Sequence, residues 1–465
     1  MPRLRLSEMV AATGGVLLRG DADTSVDSFA IDTRVLRPGG AFFALPGSRT
    51  DGHDFLPDAA RAGAAVAFVQ RDIPADATAP PALVRVGDGT DALGRCGALA
   101  RRKIPGLTVL AVTGSTGKTT TKELLAAGLG SRLRVHRTQA NLNNQLGVPL
   151  TLLACPEDAQ AEVLELGMRA PGEIAALGRV SDPDVALVTN VRPVHLAFFR
   201  TVDDIAAAKG ELFAVLRRDA VAVVNLDDEH VRVQAARHPG PRVTYGRHSS
   251  ADLVLESVED RFVPGASFSF RHEQKVRHID LRLAGAHSAQ NALAALAAVV
   301  AVQGDLDAAA EAISRVEPVA GRGRVVRLSH DVTLVDDTYN SNPAALSSVL
   351  RTLGASPASG RKVLVMGDML ELGPDEAGFH RDAGRQAASA GVQVLVGIGP
   401  LSRAAVETAR RAGVAEVYHE PDAATAAREM PRRVMPGDLV VVKGSRGIRL
   451  EQVVEALLGA YVEAP

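Results

Sequence analysis

Apolar runs that alternate with helical patterns constrain the fold of this chain more than any other feature. Continuous apolar runs occupy residues 107–114 (LTVLAVTG), 161–167 (AEVLELG) and 184–191 (DVALVTNV), and four similar runs follow residue 330. A run that is apolar throughout predicts a strand buried on both faces, and helices between such strands predict a parallel sheet. We therefore expect an α/β protein, with about three domains at the usual ~100–200 residues per domain.

The runs fall into three zones, which we predict to be domains. Residues 1–88 have short apolar runs between Gly, Pro and Asp turns and predict a small mixed α/β N-terminal domain. Residues 89–318 predict a central domain with a largely parallel sheet, and residues 319–465 predict a Rossmann-like C-terminal domain. A helical stretch ending in RRK predicts a linker after the first domain, and GRGR at 321–324 predicts a hinge before the third.

Charge and composition exclude several functions. Lysine and arginine number 52 against 54 acidic residues, and a formal charge of −2 leaves no broad basic face for nucleic acid. No apolar run reaches the ~20 residues of a membrane span, and the N-terminus lacks the pattern of a signal peptide. Cys96 and Cys155 cannot form a disulfide framework, which indicates a reducing compartment. We therefore expect a cytoplasmic protein, and a monomer.

The segment 111–125, AVTGSTGKTTTKELL, carries the strongest chemical signal, because an apolar strand leads into a glycine-rich loop and a helical pattern follows. Glycines allow main-chain N–H groups to approach phosphate oxygens, the helix N-terminus favours negative charge, and a lysine adds a cation. A hydroxyl directly after the lysine can ligate Mg²⁺. Val112 replaces the usual first glycine of GxxxxGK[ST], yet the context still predicts a P-loop. The predicted phosphate-binding residues are Gly114, Ser115, Thr116, Gly117, Lys118, Thr119 and Thr120.

Polar residues at the ends of predicted strands are further candidates, because ligands of open α/β sheets bind at the carboxyl ends of the strands. Glu165 lies near the end of AEVLELG, where its carboxylate could reach a metal held by a triphosphate. An acidic residue that caps a loop gives the same pattern. Asn190 ends DVALVTN, and His195 follows five residues later. A lone histidine is more often structural than a ligand.

Two further features leave their roles open at this point. Lys209 lies in the helical pattern DDIAAAKGELF, and Mg²⁺ would repel its ammonium group, so a plain lysine there would bind phosphate or solvent. The segment NLNNQLGVP contains Asn141, Asn143 and Asn144, whose amides suit hydrogen bonding to a polar substrate. A turn-rich structural loop explains the same residues equally well.

Taken in order, these motifs resemble those of the Mur ligases of peptidoglycan synthesis. The resemblance spans residues 32–450 and rests on TGSTGKTT, NLNNQLGVPLTLL, LELGMRAPGEI, VTNVRPVHL, AAAKGEL, NALAA, DDTYNSNP, MGDMLELG and VKGSR. It implies an N-terminal domain for a UDP-sugar, a central P-loop ATPase and a Rossmann-like C-terminal domain that closes on ATP and the amine. DDTYNSNP and MGDMLELG are most similar to the family members that join D-alanyl-D-alanine to UDP-N-acetylmuramoyl-tripeptide.

The resemblance also implies roles for single residues. Thr119, Glu165 and His195 match positions that bind Mg²⁺, with two ions expected, and Lys209 matches a lysine that is carbamylated. Carbamylation would turn a repelled cation into an anionic oxygen ligand. The residues that match ATP contacts beyond the P-loop are His287, Asn291, Arg322 and Asp337. The residues assigned to the UDP-sugar peptide are Thr33, Arg34, Gly47 and Asp51, with the amides Asn141, Asn143 and Asn144, although DTR and DGHD alone are simply polar turns.

The C-terminal motifs complete the implied site. Asn340 and Asn342 match the motif that meets ATP and the incoming amine, and Lys443, Ser445 and Arg446 match the final loop. The implied catalytic residues are Lys118, Lys209, His195 and Asn340. Arg192 stands where the family commonly has glycine or alanine, and Ala197 where it commonly has glutamate. Neither departure removes an expected metal ligand, but both lie close to His195.

The implied reaction is ATP-dependent amide-bond formation, in which the γ-phosphate activates a carboxylate as an acyl phosphate that the amine then attacks. Two alternatives remain open. A related Mur-type or folylpolyglutamate-type ligase would use another acceptor, and a P-loop NTPase would use ATP as a switch for protein binding. No Walker-B-type aspartate at the end of an apolar run stands out as a magnesium partner, which weighs against the switch.

Overall fold

The computed structural model describes residues 1–48, 50–194, 198–260, 262–263 and 265–462. Within these ranges the strands form four sheets, and helices alternate with strands along most of the chain. None of the helices described is long and apolar enough to cross a membrane.

The N-terminal elements surround a mixed sheet. They are β1 (Leu4–Arg5), α1 (Leu6–Thr13), β2 (Val16–Arg19), β3 (Ser25–Val26), β4 (Phe29–Ala30), β5 (Ala41–Phe43), a 3-10 helix (Gly52–Phe55), α2 (Leu56–Arg61), β6 (Val66–Val69), β7 (Ala82–Arg85) and α3 (Gly89–Lys103). The sheet has the order β2-β7-β6-β5-β4, in which only β2 pairs antiparallel. In its core the rings of Phe43 and Phe68 stack with centroids 4.4 Å apart.

The central elements form a larger sheet covered on both faces. They are β8 (Thr108–Thr113), α4 (Lys118–Gly130), β9 (Val135–Arg137), α5 (Gly147–Ala154), β10 (Ala161–Glu165), α6 (Glu173–Ser181), β11 (Val185–Val188), α7 (Val202–Ala214), β12 (Val221–Asn225), α8 (Glu229–Ala235), β13 (Arg242–Gly246), β14 (Leu253–Glu259), β15 (Ser267–His272), β16 (Lys275–Asp280), α9 (Ala286–Ala301) and α10 (Leu306–Ser314). The order is β16-β15-β14-β13-β12-β11-β8-β10-β9, and all pairs except those of β15 are parallel. Every residue of β10 and β11 is buried, because α4, α9 and α10 cover one face and α5 to α7 cover the other.

Helix α3 lies between the N-terminal and central sheets. Asp88 caps its start by accepting a hydrogen bond from the Asp91 N–H. Cys96 packs into the N-terminal core. On the other side, a Cβ added at Gly97 would lie 2.9 Å from Cα of Pro149 in α5. The helical stretch predicted as a linker is therefore packed on both sides, and the boundary at residue 88 stays a prediction.

The C-terminal elements form a doubly wound layer. They are β17 (Arg324–Leu328), a 3-10 helix (Ser329–Asp331), β18 (Val332–Asp337), α11 (Pro343–Ala355), β19 (Lys362–Gly367), α12 (Glu376–Ser389), β20 (Val394–Ile398), α13 (Ser402–Arg411), β21 (Glu416–Glu420), α14 (Ala423–Arg433), β22 (Leu439–Lys443), a 3-10 helix (Arg446–Ile448) and α15 (Glu451–Ala460). The order is β17-β18-β22-β19-β20-β21, with β17 alone antiparallel to its neighbour. Together the sheets confirm the predicted α/β class with a Rossmann-like C-terminal layer.

Strand order brings the candidate residues together. In the central sheet β8 lies between β10 and β11, so the P-loop after β8 meets the residues that end both neighbours. In the C-terminal sheet β18 pairs with β22, which places Asp337 beside Lys443. The two layers touch near the start of α9, where Ser348 Oγ of α11 lies 3.3 Å from Nδ1 of His287.

Candidate active site

The loop between β8 and α4 has the backbone of a phosphate-binding loop. Gly114 and Gly117 have φ angles of 149° and 79°, conformations that favour glycine. A Cβ at residue 114 would lie 1.9 Å from Oγ1 of Thr189, and one at residue 117 would lie 2.3 Å from Oδ1 of Asn291. Helix α4 begins directly afterwards, and the first N–H groups of a helix have no intrahelical acceptor, so they are available to an anion.

Residues that follow β11 hold this loop in place. The Asn190 carbonyl accepts from the Ser115 N–H at 2.9 Å, and its side-chain oxygen accepts from the Thr116 N–H at 3.1 Å. The Thr189 hydroxyl donates to the Thr116 carbonyl at 2.7 Å. Asn190 therefore orients the P-loop. Asn190 was predicted to lie at a strand end, but its contact with the P-loop was not predicted.

Two lysines converge on the loop from different helices. Nζ of Lys118 in α4 donates to the Gly114 carbonyl at 2.8 Å, and Nζ of Lys209 in α7 donates to the same oxygen at 3.0 Å. Burial, and then the neighbouring Lys118, lower the pKa of Lys209 well below its ordinary value. Burial also lowers the pKa of Lys118, with Arg322 adding to the effect and Glu165 opposing it. Such a concentration of cationic groups suits a polyanionic ligand.

Only some of the residues predicted to bind Mg²⁺ lie within the described ranges. Thr119 Oγ1 donates to Oε2 of Glu165 at 2.8 Å, and both residues are buried. Asn143 Nδ2 donates to the other carboxylate oxygen at 2.9 Å. A hydroxyl and a carboxylate beside a phosphate loop are oxygen donors of the kind Mg²⁺ takes, with nucleotide phosphates completing its shell. His195 lies outside the described residues, as does Ala197.

No group of three or more His, Cys, Asp or Glu side chains within the described ranges is placed to hold a metal ion. A metal at Thr119 and Glu165 would therefore depend on ligands from phosphate. This fits the donor set of Mg²⁺, which usually takes one or two carboxylates from the protein.

Two arginines of the C-terminal layer lie against the ring of Tyr339, and one of them, Arg322, acts on the P-loop. The guanidinium carbon of Arg322 lies 3.9 Å from the ring centroid of Tyr339, and that of Arg446 lies 5.8 Å from the same centroid. Arg322 is close enough to Lys118 to lower the pKa of that lysine. Tyr339 was not among the predicted site residues, although it lies inside the DDTYNSNP motif that carried them.

Asp337 and Asn340 are joined by the final loop. The buried Lys443 donates to Oδ2 of Asp337 at 2.7 Å and to the Asn340 carbonyl at 2.8 Å. Ser445 accepts from the Leu370 N–H at 2.9 Å, which ties in the MGDMLELG segment. Hydrogen bonds therefore join the three C-terminal motifs in one cluster.

Several predicted residues have local structural partners instead. Asn342 caps α11 by accepting from the Ala345 N–H at 2.9 Å. Oδ1 of Asn144 accepts from the Gly147 N–H at 2.9 Å at the start of α5. Asn141 is exposed, and Thr120 is half-buried in the first turn of α4. Roles of these residues in binding stay predictions.

The residues predicted for the UDP-sugar lie in turns of the N-terminal layer. Asp51 caps a 3-10 helix and accepts from both the N–H and Nδ1 of His53, at 3.0 Å and 2.6 Å. These bonds, that of the main chain first, hold the pKa of the Asp51 carboxyl below its usual range. Gly47 N–H donates to the Thr50 carbonyl at 2.9 Å.

Thr33 and Arg34 occupy the turn after β4. Hydrogen bonds from the Arg34 guanidinium and main chain lower the pKa of Asp32 to about 2. In the parts of the chain that the structure describes, the hydrogen bonds of these four N-terminal residues do not link them to the P-loop.

The departure at Arg192 leaves the P-loop intact. Its main-chain N–H donates to Ser115 Oγ at 2.8 Å, while its Nη1 donates to Oδ2 of Asp228 at 2.7 Å. Asp228 also caps α8 and accepts from the Val191 N–H at 3.0 Å. The large side chain is therefore turned to a buried carboxylate rather than into the space above the loop.

Comparisons with known proteins agree with this arrangement. Residues 25–101 match the family model described as the Mur ligase family, catalytic domain. Residues 112–299 match the Mur ligase middle domain, and residues 321–446 match the Mur ligase, glutamate ligase domain. The three matches follow the chain order of the N-terminal, central and C-terminal layers.

Relatives and solved structures extend over nearly the whole chain. The UDP-N-acetylmuramoyl-tripeptide–D-alanyl-D-alanine ligase of Escherichia coli is 33% identical over 464 residues, which cover 98% of this chain and 99% of that protein. A crystal structure of MurF from Acinetobacter baumannii has a TM-score of 0.90 at 30% identity and 99% coverage of both chains. The MurF ligase of Thermotoga maritima, solved in complex with ADP, has a TM-score of 0.83 at 28% identity and covers 93% of this chain and 97% of its own. With its P-loop, its strand order and these matches, the chain belongs to the Mur ligase family.

Proposed function

We propose that this chain is an ATP-dependent amide ligase that joins D-alanyl-D-alanine to UDP-N-acetylmuramoyl-tripeptide through an acyl phosphate, in the synthesis of peptidoglycan precursors. The observation that carries the proposal is the convergence of Lys118 and Lys209 on Gly114, beside the hydrogen-bonded pair Thr119 and Glu165. The relative from E. coli bears this activity in its name, and the similar structure from T. maritima contains ADP.

The first step would transfer the γ-phosphate of ATP to the acceptor carboxylate, since a free carboxylate is a poor electrophile. Main-chain N–H groups of the P-loop and the Lys118 ammonium would bind phosphate oxygens and offset the developing charge. Lys118 would exchange the Gly114 carbonyl for phosphate. The amine of D-alanyl-D-alanine would then attack the acyl carbon, and the C–O bond to inorganic phosphate would break.

Thr119 and Glu165 would hold Mg²⁺, which when bound supplies charge neutralisation at the phosphate oxygens. Their buried oxygen donors next to the P-loop support this assignment. A second ion held by His195 and a carbamylated Lys209 belongs to the same proposal. The support for carbamylation is the lowered pKa of Lys209, because the neutral amine is the form that adds carbon dioxide.

The C-terminal layer would close over the reaction and exclude water, which would otherwise hydrolyse the acyl phosphate. Arg322 and Asp337 would contact the nucleotide, together with Asn291 and His287 of α9. The 3.3 Å contact between Ser348 and His287 supports this assignment, since it brings the two layers together at the start of α9. Asn340 and Asn342 would meet the incoming amine.

The N-terminal layer would bind the UDP-sugar through Thr33, Arg34, Gly47 and Asp51. The peptide of this substrate would be bound by the side-chain amides of Asn141, Asn143 and Asn144. We also propose that the protein is a cytoplasmic monomer. In the described part of the chain both cysteines are free and buried, which is compatible with a reducing compartment.

The test is the mass of the UDP-linked product after incubation with ATP, UDP-N-acetylmuramoyl-tripeptide and one amine. We expect the mass to increase with D-alanyl-D-alanine and not with meso-diaminopimelate or glutamate. A product with either of the others would indicate a related ligase. ATP hydrolysis with no UDP-linked product under any condition would contradict the proposal. Parallel reactions with tripeptides ending in lysine or diaminopimelate would define the acceptor.

A further inference from the structure

The hydrogen-bond ladder between β9 and β10 changes at the N–H of Glu165, the proposed metal ligand. The strands are parallel, with Val163 of β10 opposite Arg137 of β9. The Thr138 N–H continues the ladder by donating to the Val163 carbonyl at 3.0 Å. In a regular parallel ladder the next bond would run from the Glu165 N–H to the Thr138 carbonyl. Here the Glu165 N–H instead donates to the side-chain hydroxyl of Thr138, at 3.0 Å.

The Thr138 carbonyl, which would accept from the Glu165 N–H in a regular ladder, accepts instead from a buried lysine. Nζ of Lys122 donates to the Thr138 carbonyl at 2.8 Å, and it pairs with Oε1 of Glu123 at 2.8 Å. Lys122 is 1% exposed and Thr138 is 0% exposed. A buried ammonium requires such partners, because leaving it unpaired is costly. Lys122 lies one turn after Lys118 on α4, so the helix that begins at the P-loop also holds the end of β9.

The result is that Glu165 is held at three points. Its main chain is held by the Thr138 hydroxyl, and its two carboxylate oxygens accept from Thr119 and Asn143. We propose that Lys122 and Thr138 are positioning residues, which aim the Glu165 carboxylate at Thr119 and thereby set the affinity of the site for its divalent cation. The proposal rests on the function proposed above, since it takes Glu165 to be a metal ligand.

The chain offers a matched pair of variants at residue 138. Thr138→Val keeps the shape of the side chain and the main-chain carbonyl that Lys122 needs, and removes only the hydroxyl. Thr138→Ser keeps the hydroxyl. Binding of Mn²⁺ to the full chain with saturating ADP, measured by electron paramagnetic resonance, reports on the site without turnover. Thermal unfolding of each variant, followed separately, reports on general damage.

We expect Thr138→Val to weaken Mn²⁺ binding about tenfold, the lower end for loss of an outer-shell partner of a metal ligand, and Thr138→Ser to stay close to the parent. Binding of ADP without metal should be the same in all three proteins. Lys122→Met should also weaken Mn²⁺ binding, as Thr138→Val does. Thr138→Val with the parent's Mn²⁺ affinity would overturn the proposal, as would an equal loss in Thr138→Ser.

Glu165→Gln separates this proposal from the one on which it rests. If Glu165→Gln loses Mn²⁺ binding while Thr138→Val retains it, only the positioning role is wrong. If Glu165→Gln binds Mn²⁺ as the parent does, the metal-ligand assignment is wrong and the positioning role fails with it. Weakened binding in both variants, with Thr138→Ser intact, supports both proposals.

Discussion

Lys118 and Lys209 donate to a single acceptor, the carbonyl oxygen of Gly114, at 2.8 Å and 3.0 Å. Two ammonium groups that share one carbonyl repel each other, and Lys209 is only 2% exposed, so water does little to screen the repulsion. Burial is the main cause of the pKa of Lys209 lying well below its ordinary value, and this repulsion from Lys118 adds to it. Lys209 therefore destabilises the folded state when it is an ammonium group, and its surroundings favour conversion to a neutral or anionic group.

Lys209→Met should stabilise the fold while abolishing ligation. The substitution removes a buried cation for which the described part of the chain supplies no carboxylate partner. We expect the free energy of unfolding in carbonate-free buffer at pH 7 to rise by about 1 kcal/mol. Because the pKa of Lys209 is lowered in the folded state, the unfolded state binds more protons between that pKa and 10.5. Lys209 should therefore contribute a gain in stability as the pH rises through this window, and the Met variant should lack that contribution relative to the parent. Urea unfolding at pH 7 and pH 9 checks this, and a less stable variant at pH 7 would contradict it.

Lys209→Ala tests carbamylation directly. The variant leaves a cavity where the proposed carbamate would stand, and we expect near-complete loss of ligation. Added short-chain carboxylic acids should restore part of the activity, because they can place an anionic oxygen in that cavity. Phosphate release with both substrates is the measurement. Full activity without any additive would count against the carbamate.

Lys118→Ala should abolish ATP-dependent ligation and leave the fold intact, because it removes the cation that would neutralise the transferred phosphate. Lys275→Ala is the matched control, since this lysine is exposed and pairs with Asp307 in a surface ion pair at 2.8 Å. Phosphate release and circular dichroism are measured for both variants. Turnover retained by Lys118→Ala would contradict the assignment of the P-loop as the phosphate-binding site.

Tyr339→Leu should raise the KM for ATP, because the Arg322 guanidinium lies 3.9 Å from the centre of the tyrosine ring and would lose this support. A partly desolvated cation–π contact is worth about 1–2 kcal/mol, which corresponds to about a five- to thirtyfold change. Tyr339→Phe keeps the ring and should leave the KM within about twofold. Steady-state kinetics with ATP varied separates the two variants. Equal KM values in Leu and Phe would show that the stack has no part in nucleotide binding.

The sequence predicted the features that depend on local pattern. Apolar runs indicate strands buried on both faces. The glycines at 114 and 117 indicate backbone conformations with positive φ, which few other residues adopt. The resemblance assigned both Thr119 and Glu165 to Mg²⁺, and they meet because Thr119 follows β8 and Glu165 ends the neighbouring strand β10. The cap at Asn342, followed by proline at the first helical position, also had a local signal, although the resemblance assigned this residue to the amine.

Other contacts join residues that no local pattern connects. The hydroxyl of Thr138 meets the Glu165 N–H across 27 residues, and the Asn190 side chain meets the P-loop across 74. Both bonds exist only because the strand order places β9, β10, β8 and β11 side by side. A threonine after a short strand gives no sign that its hydroxyl replaces a ladder carbonyl, which is why it was missed.

Strand β10 carries a second buried carboxylate on its opposite face, at Glu162. It is 0% exposed, and neither of its carboxyl oxygens has a hydrogen-bond partner in the part of the chain that is described. Burial raises the pKa of Glu162 to about 8, against smaller opposing effects of Cys155 and Arg101. His136 lies opposite Glu162 on β9, with Nε2 4.0 Å from a Glu162 carboxyl oxygen, and burial lowers the pKa of this imidazole.

Glu162 should therefore contribute a loss of stability as the pH rises, seen as a difference between the parent and a variant without this carboxyl. The folded state binds its proton more tightly than the unfolded state, whose pKa is near 4.5, so the stabilisation is complete below that pH and is lost as the pH rises through about 8. Glu162→Gln keeps a neutral group of the same shape at every pH. Between pH 6.5 and 9 we expect the parent to lose on the order of 1 kcal/mol more than this variant in urea unfolding. Glu157→Gln, at an exposed carboxylate on the preceding turn, is the matched control and should follow the parent. A Glu162→Gln variant with the parent's pH dependence would show that this carboxyl is not the group that titrates.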